Sequence, residues 1–553
     1  MSSTAVATAG DPRPGRGWRS RALTGLALAG AVAILVAVFI ATGSSSTHPA
    51  GPPGGPTHKA ASVSSAATSI APTTAPTPTT TTAPVLAAAI TAENRRPGTP
   101  GWTVQHPSVN GQIEGYASTV SAQQGDTVTL YVTSTAATWT ATAFRMGWYG
   151  GILARQVWQS TPQPGVRQSP ATRDPVTSMV SAPWAPSLRV PITAAWPPGD
   201  YLFKLVSSDG WDSYIPLTVR NDASHAPILI INSVTTWQAY NLWGGYDLYS
   251  GRPPVARATV VTFDRPYELG NGSGDFLGNE ERLVKLVEKE GLDVTYTTDV
   301  DIDEHPSLLL NHRVVVSLGH DEYYSLVMRD AMAAARDHGV NLVFLGANAV
   351  YRHIRLQPSS LGPDRVEVNY RVASLDPEDG RDDADVTVQW RNPPNNRPES
   401  SLLGEMYECN PVLDDLVVTD PTAWIYAGTG LTPGAHLPDL VGSEYDHYST
   451  SNPQPPGNGV QIMAASPVVC RGVPSTSDLT YYVAPSGAGV IDSGTNLWVP
   501  SILSDRNVSL GAYVAQITLT MLRQAAMGPL GLTHPAVPTG LTATATAPPP
   551  LGE

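Results

Sequence analysis

The stretch "HRVVVSLGHDEYY", residues 312–324, sets five polar or ionisable side chains directly behind a β-branched apolar run. His320, Asp321, Glu322, Tyr323 and Tyr324 follow Gly319 without interruption. Three other loops carry comparable groups: "INSVTTWQAYNLWGGYDLY" (231–249), "VVTFDRPYELGNGSGDF" (260–276) and "GANAVYRHIR" (346–355). Phenols, carboxylates and imidazole together suit a hard cation, ferric iron in particular. Such a metal polarises a carbonyl and lowers the pKa of a bound water, with Glu322 or His320 left to handle the proton. Nucleophile motifs are missing: no G-x-S-x-G is present, and Cys409 and Cys470 lie outside the strand–helix units. The glycines of "GNGSGDFLGNEE" are a weak phosphate signal, because Glu280 and Glu281 at the following helix start would repel an anion. The bland alternative has His320 and Asp321 capping the next helix and Tyr267, Tyr323, Tyr351, Trp237, Trp243 and Tyr246 packing as core.

The elements that must position these loops alternate between strand and helix. "ILIINS" (228–233) is a continuous apolar run. "GNEERLVKLVEKEG" (278–291) shows helical spacing at Leu283, Leu286 and Val287, with Gly291 as its stop. "DVTYTTDVD" (293–301) reads as a strand, "SLVMRDAMAAARDHG" (325–339) as a helix and "NLVFLGANAV" (341–350) as a strand. This grammar predicts an α/β catalytic-like domain over 223–535, a mostly parallel sheet with added β segments, whose ligand sits beyond the strand ends. "VEVNYRVAS", "DVTVQW", "DLVVTD" and "TAWIYAGTG" read as later strands, and "SLGAYVAQITLTMLRQAAM" (509–527) as a closing helix. Ahead of this, "DTVTLYVTS", "WTATAFRMGWY", "SLRVPITA", "GDYLFKLVSS" and "SYIPLTV" predict a β-sandwich domain over 91–222.

The rest of the chain concerns address. Residues 22–41, "ALTGLALAGAVAILVAVFIA", carry no charge, match the bilayer core and follow Arg13, Arg16, Arg19 and Arg21. A basic cytoplasmic tail (1–21) and a transmembrane anchor or signal peptide (22–43) are expected. The protein would then be single-pass at the cell membrane with its globular part outside, or secreted. Residues 44–90 form a Pro/Thr-rich linker and 536–553 a second loose tail. The net charge of −14 in 553 residues, without a basic stripe, argues against a nucleic-acid partner. Two cysteines in an exported chain permit one disulfide, or two buried thiols, and their spacing does not suit a metal.

Residues of about 100–530 resemble the large (β) subunit family of N,N-dimethylformamidase, particularly its C-terminal-like domain. The stretches that carry the resemblance are "TTWQAYNLWGGYDLY", "FDRPY", "GLDVTYTTDVD", "LGHDEYYS", "LGANAVYRHIR", "GTGL" with "LPDLVGSEYD", and "APSGAGVIDSGTNLW". The resemblance implies an amidohydrolase with one iron held by two tyrosines and a glutamate. On this chain the candidate ligands are Tyr323, Tyr351 and Glu444, with Tyr324 as a substitute for Tyr323. The implied catalytic residues are His320, Glu322 and Asn348, the last as a hydrogen-bond donor to a developing oxyanion, with Asn496 a second candidate for that role. A small amide as substrate and a small accessory subunit as partner are implied too. The competing function is a non-catalytic cell-envelope protein that binds a polymer or another protein, with Trp148 or Trp211 against sugars.

Overall fold

The computed structural model describes residues 88–539. The basic tail, the apolar segment 22–43, nearly all of the linker and the end of the C-terminal tail lie outside the described residues, and the membrane and signal expectations fall there. Among the described residues no helix is long and apolar enough to cross a membrane.

Chain order begins with β structure. Ile113–Ala117, Thr127–Ser134 and Leu188–Pro191 form a three-stranded antiparallel sheet. A six-stranded sheet runs Ser121–Gln123, Asp212–Arg220, Gly199–Ser207, Thr138–Met146, Ala154–Gln159, with Gln163–Pro164 also beside Thr138–Met146. Alternation along Thr138–Met146 decides what each face does. Trp139, Ala141 and Ala143 enter a core with Val128, Leu130, Phe203 and Leu217. Phe144 and Met146 point the other way, with Leu202, into a core that also holds Leu283, Val284, Leu286 and Val287 of the helix Glu281–Lys289. The six-stranded sheet is therefore covered on both faces.

A fully buried ion pair marks that second face. Arg145 Nη2 and Nη1 meet Glu288 Oε1 and Oε2 at 2.6 and 2.8 Å, and Tyr296 and Asn94 donate to the same carboxylate at 2.9 and 2.7 Å. Asp200 lies nearby, buried. Burial and the Glu288 charge push it up to about 7, against the opposing pull of Arg145.

Residues after Ile228 build a seven-stranded mixed sheet in the order Val294–Thr298, Ile228–Asn232, Val314–Gly319, Asn341–Gly346, Gly489–Asp492, Val473–Val483, Val460–Cys470. The first five run parallel and the last two antiparallel. A four-stranded sheet adds Val260–Thr262, Gly362–Val368, Arg352–Ser359 and Tyr323–Ser325, and a long hairpin pairs Met406–Val417 with His436–His447.

This corrects the expected fold class. The chain is mostly β, in several mixed and antiparallel sheets, and not a mostly parallel α/β domain behind a sandwich. Helices are sparse; the longest, Val508–Ala525, has 18 residues and Leu326–Asp337 has 12. The physical reason lies between Gly346 and Gly489. Parallel neighbours need a crossover of roughly a dozen residues or more. Here the chain instead doubles back through tight turns such as Arg471–Gly472, at φ 52 and 82, which join antiparallel strands. The apolar runs "VVVSLG" and "NLVFLG" do pair in parallel, but they represent a minority of the strands. Two smaller expectations also change. "DVD" (299–301) opens the helix Asp299–Glu304 through a Thr298–Asp301 capping box, and "TAWIYAGTG" yields only a short 3-10 turn at Trp424–Tyr426.

The pH response of stability follows from Asp200. The unfolded chain ionises this carboxyl near its ordinary value of about 3.9, well below the folded one. Stability therefore falls as pH rises from about 4 to about 7 and is flat beyond, a penalty of about 1.4 kcal/mol per unit of difference. Asp200→Asn is expected to leave the melting temperature near pH 4 unchanged and to raise it progressively up to pH 7, as read by thermal unfolding across that range.

Candidate functional site

Two glycines explain why chemistry collects at the strand ends. Gly319 and Gly346 are register partners at the ends of Val314–Gly319 and Asn341–Gly346. A Cβ on Gly346 would lie 1.6 Å from the Gly319 carbonyl oxygen, and one on Gly319, at φ 57, would lie 2.7 Å from the Asn279 backbone oxygen. Only glycine lets both chains leave the sheet so close together. The loops that follow are stitched to each other: Val350 N donates to Asp321 O at 3.0 Å, and Tyr351 N and Arg352 N both donate to Glu322 O at 2.9 Å. Asn348 and Val350 sit at φ 61 and 55, and for β-branched Val350 this is strained backbone.

"HDEYY" divides its side chains. Tyr324 Oη donates to Asp321 Oδ2 at 2.6 Å, and Ser317 Oγ donates to the same oxygen at 2.7 Å, so both residues are spent on each other. Tyr324 is thereby removed as a substitute ligand. Glu322 faces the aromatic loop instead. Its carboxylate accepts from Tyr240 at 2.7 Å and from Tyr249 at 2.7 and 2.8 Å, and the two phenol oxygens are 2.9 Å apart. The Tyr240 and Tyr249 rings stack at 4.3 Å, and the Arg371 guanidinium lies 3.9 Å over Tyr249. Burial and the Glu322 charge hold both phenols well above their ordinary range, so they remain protonated donors. Arg352 Nε stands 3.5 Å from Glu322 Oε1.

His320 joins this group to a second carboxylate. Its Nε2 is 3.5 Å from Glu322 Oε2 and 3.2 Å from Glu444 Oε2. Burial alone would lower the imidazole, but Glu444, Glu322 and Asp275 outweigh it and raise it to about 9. Glu444 comes from the strand His436–His447 and is held by amides: Asn348 Nδ2 and Asn496 Nδ2 donate to Oε2 at 3.0 and 3.2 Å, and Asn410 Nδ2 donates to Oε1 at 2.7 Å. Burial pushes Glu444 up, yet His320 and these donors keep it below its ordinary value. The donor groups expected to serve an oxyanion, on Asn348 and Asn496, are thus occupied by Glu444.

Tyr323 is fully buried, its hydroxyl accepting from Arg371 Nη2 at 3.2 Å. Tyr351 packs its ring against Tyr407 at 5.2 Å, with Arg352 and Arg391 over its face at 4.8 and 5.0 Å. Tyr323, Tyr351 and Glu444 therefore border one cluster, but no hydrogen bond joins any two of them. Their donor chemistry still fits a hard cation: Oε1 of Glu444 accepts only from Asn410, Tyr323 accepts only from Arg371, and the Tyr351 hydroxyl has no hydrogen bond among the described residues. Each keeps an open lone pair. Among the described residues no three His, Cys, Asp or Glu side chains are arranged to hold a metal, so a cation here would need the phenols.

Sequence reasoning missed Tyr240, Tyr249, Arg352, Arg371 and Asn410 as partners, although Tyr240 and Tyr249 lie within the quoted aromatic loop. The usable signal was Gly244–Gly245 between them, both left-handed, which bends the loop so that the two rings meet. Trp237 is core: it packs against Tyr267 and Phe276 and donates to Glu280 at 2.9 Å. Glu280, expected at an exposed helix start, is buried and also accepts from Asn232 Nδ2 at 2.6 Å and Ser233 N at 3.0 Å, which anchors the aromatic loop to its strand.

A loop-borne cluster of buried carboxylates, phenols and one imidazolium defines the class of site. The family model described as "N,N-dimethylformamidase beta subunit-like, C-terminal" matches residues 140–508, more than half of the chain, and the chain belongs to that family. A comparison with curated proteins finds no match. Among solved structures, one that the chain is similar to is a cycloisomaltooligosaccharide glucanotransferase of Paenibacillus sp., complexed with cycloisomaltoheptaose. It is 9% identical, with a TM-score of 0.15, and the alignment covers 57% of this chain and 62% of that one. At that score the likeness carries no argument.

Titration of His320 checks the electrostatics. In protein stripped of metal by a chelator, its NMR midpoint is expected near 9. Glu444→Gln should bring it down by one unit or more, towards the ordinary histidine value of about 6.5. Because the folded value is the higher, the pairing stabilises fully below about pH 6.5 and is lost as pH rises through 9.

Proposed function

We propose that this protein is a hydrolase of a small amide or related C–N bond, with one iron held by Tyr323, Tyr351 and Glu444. The observation that carries this reading is the state of Glu444: a buried carboxylate, kept ionised by His320 and three amides, with one lone pair open beside two phenol-bearing segments. Membership in a dimethylformamidase-like family supports the reaction class. When bound, the iron would supply a Lewis acid for the amide carbonyl and a more acidic water.

The chain's own residues do the rest. His320 is an imidazolium at neutral pH and donates its proton to the departing nitrogen. Glu322, fixed by Tyr240 and Tyr249, balances that charge and accepts a proton from water. Asn348 orients Glu444. Burial of the cluster admits only a small substrate. A small accessory subunit and an outward-facing location, anchored through residues 22–41 or secreted, belong to the same proposal.

Metal analysis with an absorption spectrum tests it. The full chain should carry about one iron with a phenolate-to-iron band in the visible, as oxygen donors of this type suggest. Tyr351→Phe and Glu444→Gln should each retain less than about a tenth of the iron, since even outer partners of a metal are worth 10–100-fold. A colourless protein without iron, or amide turnover that survives Glu444→Gln, would sink the proposal. Affinity for an envelope polymer in such a protein would favour the non-catalytic alternative.

A further inference from the structure

The strands Val460–Cys470 and Val473–Val483 meet in a two-residue turn, Arg471–Gly472, with both residues left-handed at φ 52 and 82. Asparagine or glycine sits in such a turn with less strain than arginine. The turn is pinned by the Cys409–Cys470 disulfide, which closes a separation of 61 residues. Each sulfur is thus one residue away from a polar side chain: Asn410 on one strand, Arg471 on the other. Arg471 grips Asn410 with two donors, Nε to the backbone oxygen at 2.9 Å and Nη2 to Oδ1 at 3.2 Å.

This fork fixes which way the Asn410 amide faces. Its oxygen is held by the guanidinium, so its nitrogen turns inward and donates to Glu444 Oε1 at 2.7 Å. A flipped amide would set N–H against guanidinium and oxygen against carboxylate. Oε2 of Glu444 already meets Asn348, Asn496 and His320. Oε1 is the atom with capacity left, and Asn410 is its one hydrogen-bond donor.

We propose that Arg471 is a positioning residue: from a disulfide-pinned hairpin tip it orients Asn410 and thereby aims the open lone pair of Glu444. The inference rests on reading Glu444 as a metal ligand. It gives the disulfide a role at the site, because the bond holds the turn where the guanidinium reaches Asn410. Arg471 is exposed and touches no reacting group.

The test uses the full chain loaded with ferric iron and compares Arg471→Asn with Arg471→Lys. Asparagine keeps the left-handed turn but loses the reach, while lysine keeps the charge but loses the fork. Arg471→Asn is expected to melt like the parent, to release iron to a chelator about 10- to 100-fold faster and to shift the phenolate band, with Arg471→Lys in between. In Arg471→Asn crystals the Asn410 amide should have turned from Glu444. An unchanged release rate, or an unmoved Asn410 in those crystals, overturns the proposal. If the parent protein takes up no iron, the metal reading fails, and the position of Asn410 in the Arg471→Asn crystals still decides the role of Arg471.

Discussion

One imidazolium between two buried carboxylates governs this structure. Glu322 and Glu444 come from segments more than a hundred residues apart in sequence, and like charges share a buried volume at high cost. His320, 3.2 Å from one and 3.5 Å from the other, is what lets them coexist. The remaining contacts divide around it. Phenols and Arg352 satisfy Glu322, whereas side-chain amides satisfy Glu444. Neutral amides hold a carboxylate in place without neutralising it, and that difference leaves Glu444 the better partner for a cation.

Everything upstream of this arrangement serves to bring loops together. The Gly319–Gly346 contact releases two loops side by side, Glu280 anchors the aromatic loop to its strand, and the hairpin Met406–Val417/His436–His447 delivers Asn410 and Glu444 from the opposite direction. The site is thus assembled from strand ends and from a hairpin, two kinds of element with different rules of pairing.

Those rules also explain how much was legible in the sequence. The polar stretch behind "VVVSLG" pointed to the right place, and the motifs around His320, Asn348 and Glu444 carried the family. The fold class did not follow, because a continuous apolar run reports burial on both faces and says nothing about the direction of its neighbour. Likewise "HDEYY" gave five candidates, but not that Asp321 and Tyr324 would bond to each other and leave the other three for the site. Partners such as Tyr249, Arg371 and Asn410 were invisible because their role depends on contacts between distant segments, which composition and spacing do not encode. The expectation that Asn348 donates to an oxyanion failed for a similar reason: a donor's availability depends on which acceptor reaches it first.

The six-stranded sheet of the N-terminal part has a consequence for how this chain can be divided. With Trp139 and Phe203 on one side and Phe144, Met146 and Leu202 on the other, that sheet has no face left for water. Cutting it away would strip the cover from the helix Glu281–Lys289 and leave Glu288 charged in an apolar scar without Arg145. The N-terminal β part therefore behaves as a half of the folding unit rather than a detachable module, and a shortened protein starting after it would favour aggregates over a smaller soluble form.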